Sequence, residues 1–423
     1  MRNRALPILV VLVSATFAVT IALLLAWTPG TVAMSGITVL LCWLCFCEWP
    51  WAVLPAGIVG GALGGGLVGH GDIRSTVLMH VLPLVAGVAA LLTRRLLGYD
   101  ADVTPPRYGL GMAVLLAITV VGAAYGLAMG NAPTQVLVAA YEIAVIPVYY
   151  FLAAFTLTSR RSLRNAAIAY VVPVSALTAI EFAAPGRHGG LLSLLAVPGL
   201  VVLAGRVTGW ARTGLALLAV GLIADVILAS YRGVWLAAGI ALVILAVRGG
   251  VVVLRGLAAT AAIGAVGLVA AVMFGLTTEL RDRSSAVGEA LQRTSGYRIP
   301  EAAVGLDVFV SRPIFGAGLG QTTPRVYIPG FALTDVGPVY HAFYVLILAN
   351  LGIVGLCVVA WPILRAVWTG LSGPAGMSLA FAALSCGFLA AAFVASPADG
   401  HWELGLLPAL TLLTRPVPAG SSR

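Results

Sequence analysis

The stretch VYHAFYVLILANLGIVGL, residues 339–356, sets a single imidazole, His341, at the start of an apolar run of membrane length. Two arginines lie in comparable settings. Arg232 sits in ILASYRGVWLAA between two apolar runs, and Arg298 lies in the polar segment that precedes the histidine. Arginine's planar fork pairs with phosphate oxygens two at a time and keeps its charge at any relevant pH. Imidazole titrates near neutrality, so its neutral form can take a proton from an attacking hydroxyl. A base and two cations together suit attack of a sugar hydroxyl on a carbon whose leaving group is a diphosphate. The cations would stabilise the charge that develops on that group. A lipid-linked sugar would set the reacting bond at the membrane surface. Tyr340 and Tyr344, close beside His341, are candidate supporting groups. Each residue also has a plainer reading, since interfacial arginines snorkel and a histidine at a helix start is commonly just hydrogen-bonded there. Convergence of the three on one membrane face favours chemistry.

Other polar residues in apolar surroundings compete for attention. Asp225 lies seven residues before Arg232. It is read as lying inside the helix that ends at Arg232 and so on the same face, where the acid would orient the arginine directly or through water, or cap a neighbouring helix. Glu142 and Glu181 are within or near apolar spans. Intramembrane acids also serve proton coupling, so a transporter or flippase of cell-envelope precursors stands as the alternative function. His188 in PGRHGG and His401 in SPADGHWE are expected to be solvated turn residues. GAGLG, residues 316–320, is a weak phosphate-loop signal because no strand precedes it and no lysine follows; a tight turn below the site is expected. CWLCFC has only Glu48 near enough to complete a metal site. All five cysteines (Cys42, Cys45, Cys47, Cys357 and Cys386) fall in apolar runs, as packing residues and not as a disulfide framework.

The elements that must position these groups are membrane helices. Of 423 residues, 61% are hydrophobic and only 9% charged. A soluble chain of this size needs a charged skin that so few ionisable residues cannot supply. The apolar runs fall at 7–27, 31–47, 51–69, 74–93, 108–129, 136–157, 166–183, 191–205, 213–230, 233–247, 256–276, 340–361, 374–395 and 404–414. The expected fold is therefore all-α, a polytopic bundle of about 12–14 transmembrane helices with one large outer loop. The N-terminal run reads as a first spanning helix and not as a removed signal.

The net charge of +9 comes from arginine alone, without a lysine. The arginines sit at the ends of apolar runs and not on one polar domain, which argues for membrane orientation and against nucleic acid. With the N-terminus inside, fifteen fall at cytoplasmic ends, from Arg2 to Arg423, and only Arg74, Arg187 and Arg232 in short outer connections. Residues 277–339 then lie outside. Within them, YRIPEAAVGLDVFVSRP reads as a short helix beginning near Pro300, with Glu301 at its positive end and Arg312-Pro313 stopping it.

SRPIFGAGLGQ followed by YHAFYVLILANLGIVGL resembles the signature of the O-antigen ligase and O-antigen polymerase-like superfamily. SYRGVWLAAGIALVI and SGYRIPEAAVGLDVF resemble two further segments of that family, in the same order. The resemblance covers roughly residues 185–395, so the chain divides into N-terminal transmembrane helices (1–183) and a ligase-like core (184–423). It implies a bacterial multi-pass protein of the cytoplasmic membrane with GT-C-type architecture. Such a protein transfers a glycan, without metal or cofactor, from a polyprenyl-diphosphate carrier to a glycan or lipid acceptor on the outer face. By the same resemblance, His341 matches the family's proposed general base, and Arg232 and Arg298 match its two diphosphate-holding arginines. Three positions depart from the family pattern: Ala342 replaces the usual Asn, Asn350 replaces the usual Glu, and Tyr231 interrupts Ser-Arg-Gly.

Overall fold

The computed structural model describes residues 29–63, 73–99, 106–183, 190–229, 232–273, 298–326, 334–337, 340–393 and 401–415. These residues are mostly helical. In chain order the helices are α1 (Pro29–Glu48), α2 (Val53–Leu63), α3 (Ile73–Leu96), α4 (Gly109–Ala128), α5 (Pro133–Thr156), α6 (Arg160–Ala183), α7 (Leu191–Arg206), α8 (Gly209–Leu228), α9 (Arg232–Arg248) and α10 (Gly250–Met273). Then follow α11 (residues 298–311) and a hairpin of β1 (Thr323–Val326) and β2 (Thr334–Val336), and finally α12 (Phe343–Leu371), α13 (Met377–Ala391) and α14 (Glu403–Leu413). Six of the described helices are long and apolar enough to cross a membrane, and shorter apolar helices accompany them. This is a multi-pass helical membrane protein. The expected first span, 7–27, lies outside the described residues. The hairpin, antiparallel with Thr323 opposite Val336, departs from the all-α expectation, though only locally.

Two compact units form. One comprises residues 1–106 and 148–176, the other 107–147 and 177–423. In the first, α3 is tied to the end of α1: Trp43 Nε1 donates to Thr93 Oγ1 at 3.2 Å and Arg94 Nη1 to the Cys47 carbonyl at 2.5 Å. His80 Nε2 meets the Tyr149 hydroxyl at 2.5 Å in the interior of this unit, which pairs two buried polar groups.

The second unit carries the candidate site. Its helices approach closely through small residues, as membrane bundles do in the absence of a hydrophobic drive between helices. A Cβ on Gly387 of α13 would lie 2.3 Å from the Ala237 carbonyl oxygen of α9. On α7 and α10, Gly205 and Gly256 play the same part against each other's backbones.

Helix α12 is interrupted. Gly352 has φ 65° and ψ −164°, which breaks the run of intrahelical hydrogen bonds. The freed groups are taken by the segment after α11. Ile353 and Val354 donate to the Pro313 and Ile314 carbonyls at 2.9 and 3.3 Å. In return, Ala317 and Gly318 donate to the Ala349 and Asn350 carbonyls at 2.8 and 3.1 Å. Backbone groups at membrane depth must find partners inside the protein, and here two irregular segments satisfy each other. GAGLG thus forms the expected tight turn, with φ positive at Gly316, Gly318 and Gly320. It is not confined to an outer loop. Leu319 N donates to the Gly122 carbonyl at 3.1 Å and Asn131 Nδ2 to the Leu319 carbonyl at 2.9 Å, so the turn wedges between α4 and α12.

Candidate functional site

Helix α11 begins as the sequence predicts. Pro300 sits in the first turn, where its missing N–H costs nothing, and the helix stops before Arg312-Pro313. Arg298, expected just before the helix, is its first residue. One face of α11 carries Glu301 and Gly305, and this face lies on the start of α12. A Cβ on Gly305 would come within 2.3 Å of Val345 and 2.8 Å of the Tyr340 ring, so only glycine lets the two segments meet.

That contact brings Glu301 to His341. One carboxylate oxygen, Oε2, lies 2.8 Å from His341 Nδ1 and also accepts the His341 backbone N–H at 3.1 Å. An ionised carboxylate has only acceptors, so Nδ1 carries the proton and Nε2 the ring's lone pair. The Glu301 side chain is only 4% exposed, whereas that of His341 is 43% exposed. The acid is hidden and the imidazole presented. A buried carboxylate in this position fixes the tautomer and ring orientation and stabilises the positive charge that appears when Nε2 takes a proton.

Tyr340 is buried against the same corner, and its hydroxyl has no partner among the described residues. Burial, and then the Glu301 carboxylate, push its phenol up to about 12, so it keeps its proton. Tyr344 is committed differently: its hydroxyl donates to the Leu389 carbonyl at 2.6 Å, and its ring lies 4.2 Å from that of Phe393. It ties α12 to α13.

Arg232 reaches the same end of the bundle by way of α13. Helices α9 and α13 run antiparallel with Ala237 against Gly387. Arg232, five residues earlier, stands about 7 Å nearer the helix start, level with the end of α13. There the Ala392 carbonyl accepts the Phe343 N–H at 2.9 Å. Arg232 and His341 therefore flank one helix terminus. The Arg232 side chain is half-buried, with no hydrogen-bond or ion-pair partner among the described residues. Arg298, also half-buried, stands one turn from Glu301 on the same face of α11.

Asp225 requires a correction. It lies on α8, which ends at Leu228, whereas Arg232 opens α9, so a spacing of seven residues puts them on no common helix face. Asp225 is buried and accepts from Ser193 Oγ at 2.6 Å; Ser193 in turn meets Thr178 Oγ1 at 3.1 Å. The turn between α8 and α9 is braced separately, by Trp235 Nε1 donating to the Val226 carbonyl at 2.7 Å. Of the other acids, Glu142 is buried on α5 and Glu181 half-buried on α6.

His401 is corrected too. It is not solvated but buried, with Nδ1 2.7 Å from Glu403 Oε1. Its ring stands edge-on to Phe343, centroids 4.5 Å apart. His188 lies outside the described residues. Asn350 is buried at the α12 break, its Nδ2 donating to the Leu346 carbonyl at 2.9 Å, so it holds backbone where the family pattern has an acid.

Glu301 lies at the positive end of α11 as expected, but its contact with His341 is what sequence reasoning missed. The available signal was its position one turn after Arg298: any face that turns Arg298 toward His341 turns Glu301 there also. No protein-family model, curated protein or solved structure matches the chain.

Proposed function

We propose that this protein is a glycosyltransferase of the O-antigen ligase or polymerase type, with a GT-C-like plan. In this reading it acts at the outer face of a bacterial cytoplasmic membrane. It transfers a glycan from a polyprenyl-diphosphate carrier to a hydroxyl of a glycan or lipid acceptor. The observation that carries the reading is the Glu301–His341 pair: a hidden carboxylate, one turn from Arg298, holding an outward imidazole at the helix terminus flanked by Arg232.

The reaction balances as a displacement. His341 Nε2 takes the proton of the acceptor hydroxyl, and its oxygen bonds to the anomeric carbon. The bond from that carbon to the diphosphate oxygen breaks. The diphosphate leaves with the electron pair, and Arg232 and Arg298 hold the charge. Glu301 remains ionised throughout and pairs with the imidazolium. The reading uses no metal or cofactor.

The test is transfer in vitro, with the purified protein given a panel of polyprenyl-diphosphate-linked glycans and candidate acceptors. Formation of a new glycosidic product with release of polyprenyl diphosphate is expected. Intact donor throughout the panel, together with vectorial movement of the same lipids in vesicles, would replace the transferase with the transporter.

A further inference from the structure

Helix α11 has a second apolar face, and it is exposed. Ile299, Ala303, Leu306 and Val310 recur at intervals of four, three and four residues, and all four are exposed, with Ile299 and Val310 at 70% and 72%. At 100° per residue they form one narrow stripe, nearly opposite the Glu301–Gly305 face that packs on α12. Asp307 and Ser311, also exposed, mark the polar flank. The stripe does not end with the helix. Ile314 and Phe315, at 56% and 68% exposure, continue it.

Where it leads identifies what covers it. The Ile314 carbonyl is bonded to the Val354 amide, and Ile353 beside it is exposed. Below Ile353, on the same helix, Trp361, Leu364 and Trp368 are exposed as well. Helix α12 is among those long and apolar enough to cross the membrane, so these side chains face lipid. The stripe on α11 is thus the upper continuation of a lipid-facing surface. It carries Arg312, exposed, where the helix ends and the chain dips toward Ile353.

We infer that α11 lies in the outer-leaflet interface of the bilayer, with Ile299, Leu306 and Val310 in the acyl boundary and Arg312 at the level of lipid phosphates. An amphipathic helix with one narrow apolar stripe and a flanking cation binds a lipid surface in this way. The opposite face then holds Glu301 against His341, so the candidate site opens at headgroup level. The inference stands on the membrane reading alone and does not require the transferase.

The experiment measures depth, not activity. The full-length protein, its five cysteines replaced by alanine, receives a bimane label through Leu306→Cys, Val310→Cys or Asp307→Cys. It is then placed in vesicles of phosphatidylcholine and phosphatidylglycerol. Quenching by a lipid spin-labelled near its headgroup should be several-fold stronger at 306 and 310 than at 307, with aqueous iodide showing the reverse order. Equal iodide quenching at all three sites overturns the inference. So does a label at 306 that neither quencher reaches, which marks cover by protein. Should the cysteine-free protein not fold, the native chain is photolabelled with a diazirine-bearing phosphatidylcholine. Adducts within residues 299–315 support the interface, and adducts confined to the spanning helices overturn it.

Discussion

Two histidine–carboxylate pairs stand on either side of Phe343, and they are opposites. His341–Glu301 joins residues forty apart in sequence, with an exposed ring and a hidden acid. His401–Glu403 joins residues two apart, and both side chains are almost wholly buried, at 3% and 1% exposure. Phe343 connects them: it follows His341 by two residues, and its ring meets His401 edge-on. Among the described residues, His401 Nε2 and Glu403 Oε2 find no partner. Identical groups at nearly the same separation thus serve different ends, and exposure decides which. A pair that reaches solvent can exchange a proton with a substrate. A pair sealed in the protein can only hold neighbours in place.

This contrast is breakable, and the largest effect is expected at the exposed ring. His341→Ala should cut transfer by about 10²–10⁴, the usual worth of general-base help, while expression and donor binding persist. Normal transfer by His341→Ala would collapse the distinction between the pairs. Glu301→Gln comes next. Its amide can still accept from Nδ1 but carries no charge to oppose the imidazolium, and a loss of about 10- to 100-fold in rate is expected with donor affinity unchanged. A parallel loss of kcat and affinity would mean that α11 had come away from α12.

The buried pair should answer in stability and not in rate. His401→Ala strands a carboxylate in the interior, a change that typically costs about 3–5 kcal/mol. Thermal unfolding in detergent should show the loss, while the fraction that remains folded turns over normally. A rate loss as large as that of His341→Ala, at unchanged melting temperature, would make His401 a second base. The smallest effect is expected at Tyr340. Since the folded phenol holds its proton to about 12 and an unfolded tyrosine gives it up near 10, the stability due to the neutral phenol is complete below about pH 10. It is lost as pH rises from there to about 12. Tyr340→Phe should leave the rate and its pH profile unchanged and flatten only that alkaline decline, which titration of the melting temperature would reveal.

How much of this was legible in the sequence depends on range. Every expected apolar span from 31–47 onward contains a helix, because hydropathy is a local property and lipid imposes one answer on it. Pro300, Arg312 and Pro313 delimited α11 for local reasons as well. His341 and Arg298 were nameable, but the acid between them was not, since the contact depends on Gly305 admitting two segments that are far apart in the chain. Asp225 failed in the converse way. Local spacing was carried across the break between the runs 213–230 and 233–247, and Arg232 opens the next helix. The break at Gly352 was hidden within an unbroken apolar run, because what makes it tolerable is the pair of carbonyls offered by Pro313 and Ile314.

That break has a consequence for biogenesis. A peptide group left unpaired in hydrocarbon costs several kcal/mol, so the gap at Gly352 cannot exist in a segment leaving the translocation machinery alone. The segment must enter the bilayer as an uninterrupted helix. It can open only when the chain from Pro313 to Gly318, synthesised earlier, comes to exchange four hydrogen bonds with it. Helix α4, against which Leu319 then settles, must already be waiting. The corner that carries His341 is therefore among the last parts of the protein to mature, and a chain can be fully inserted while still unfinished.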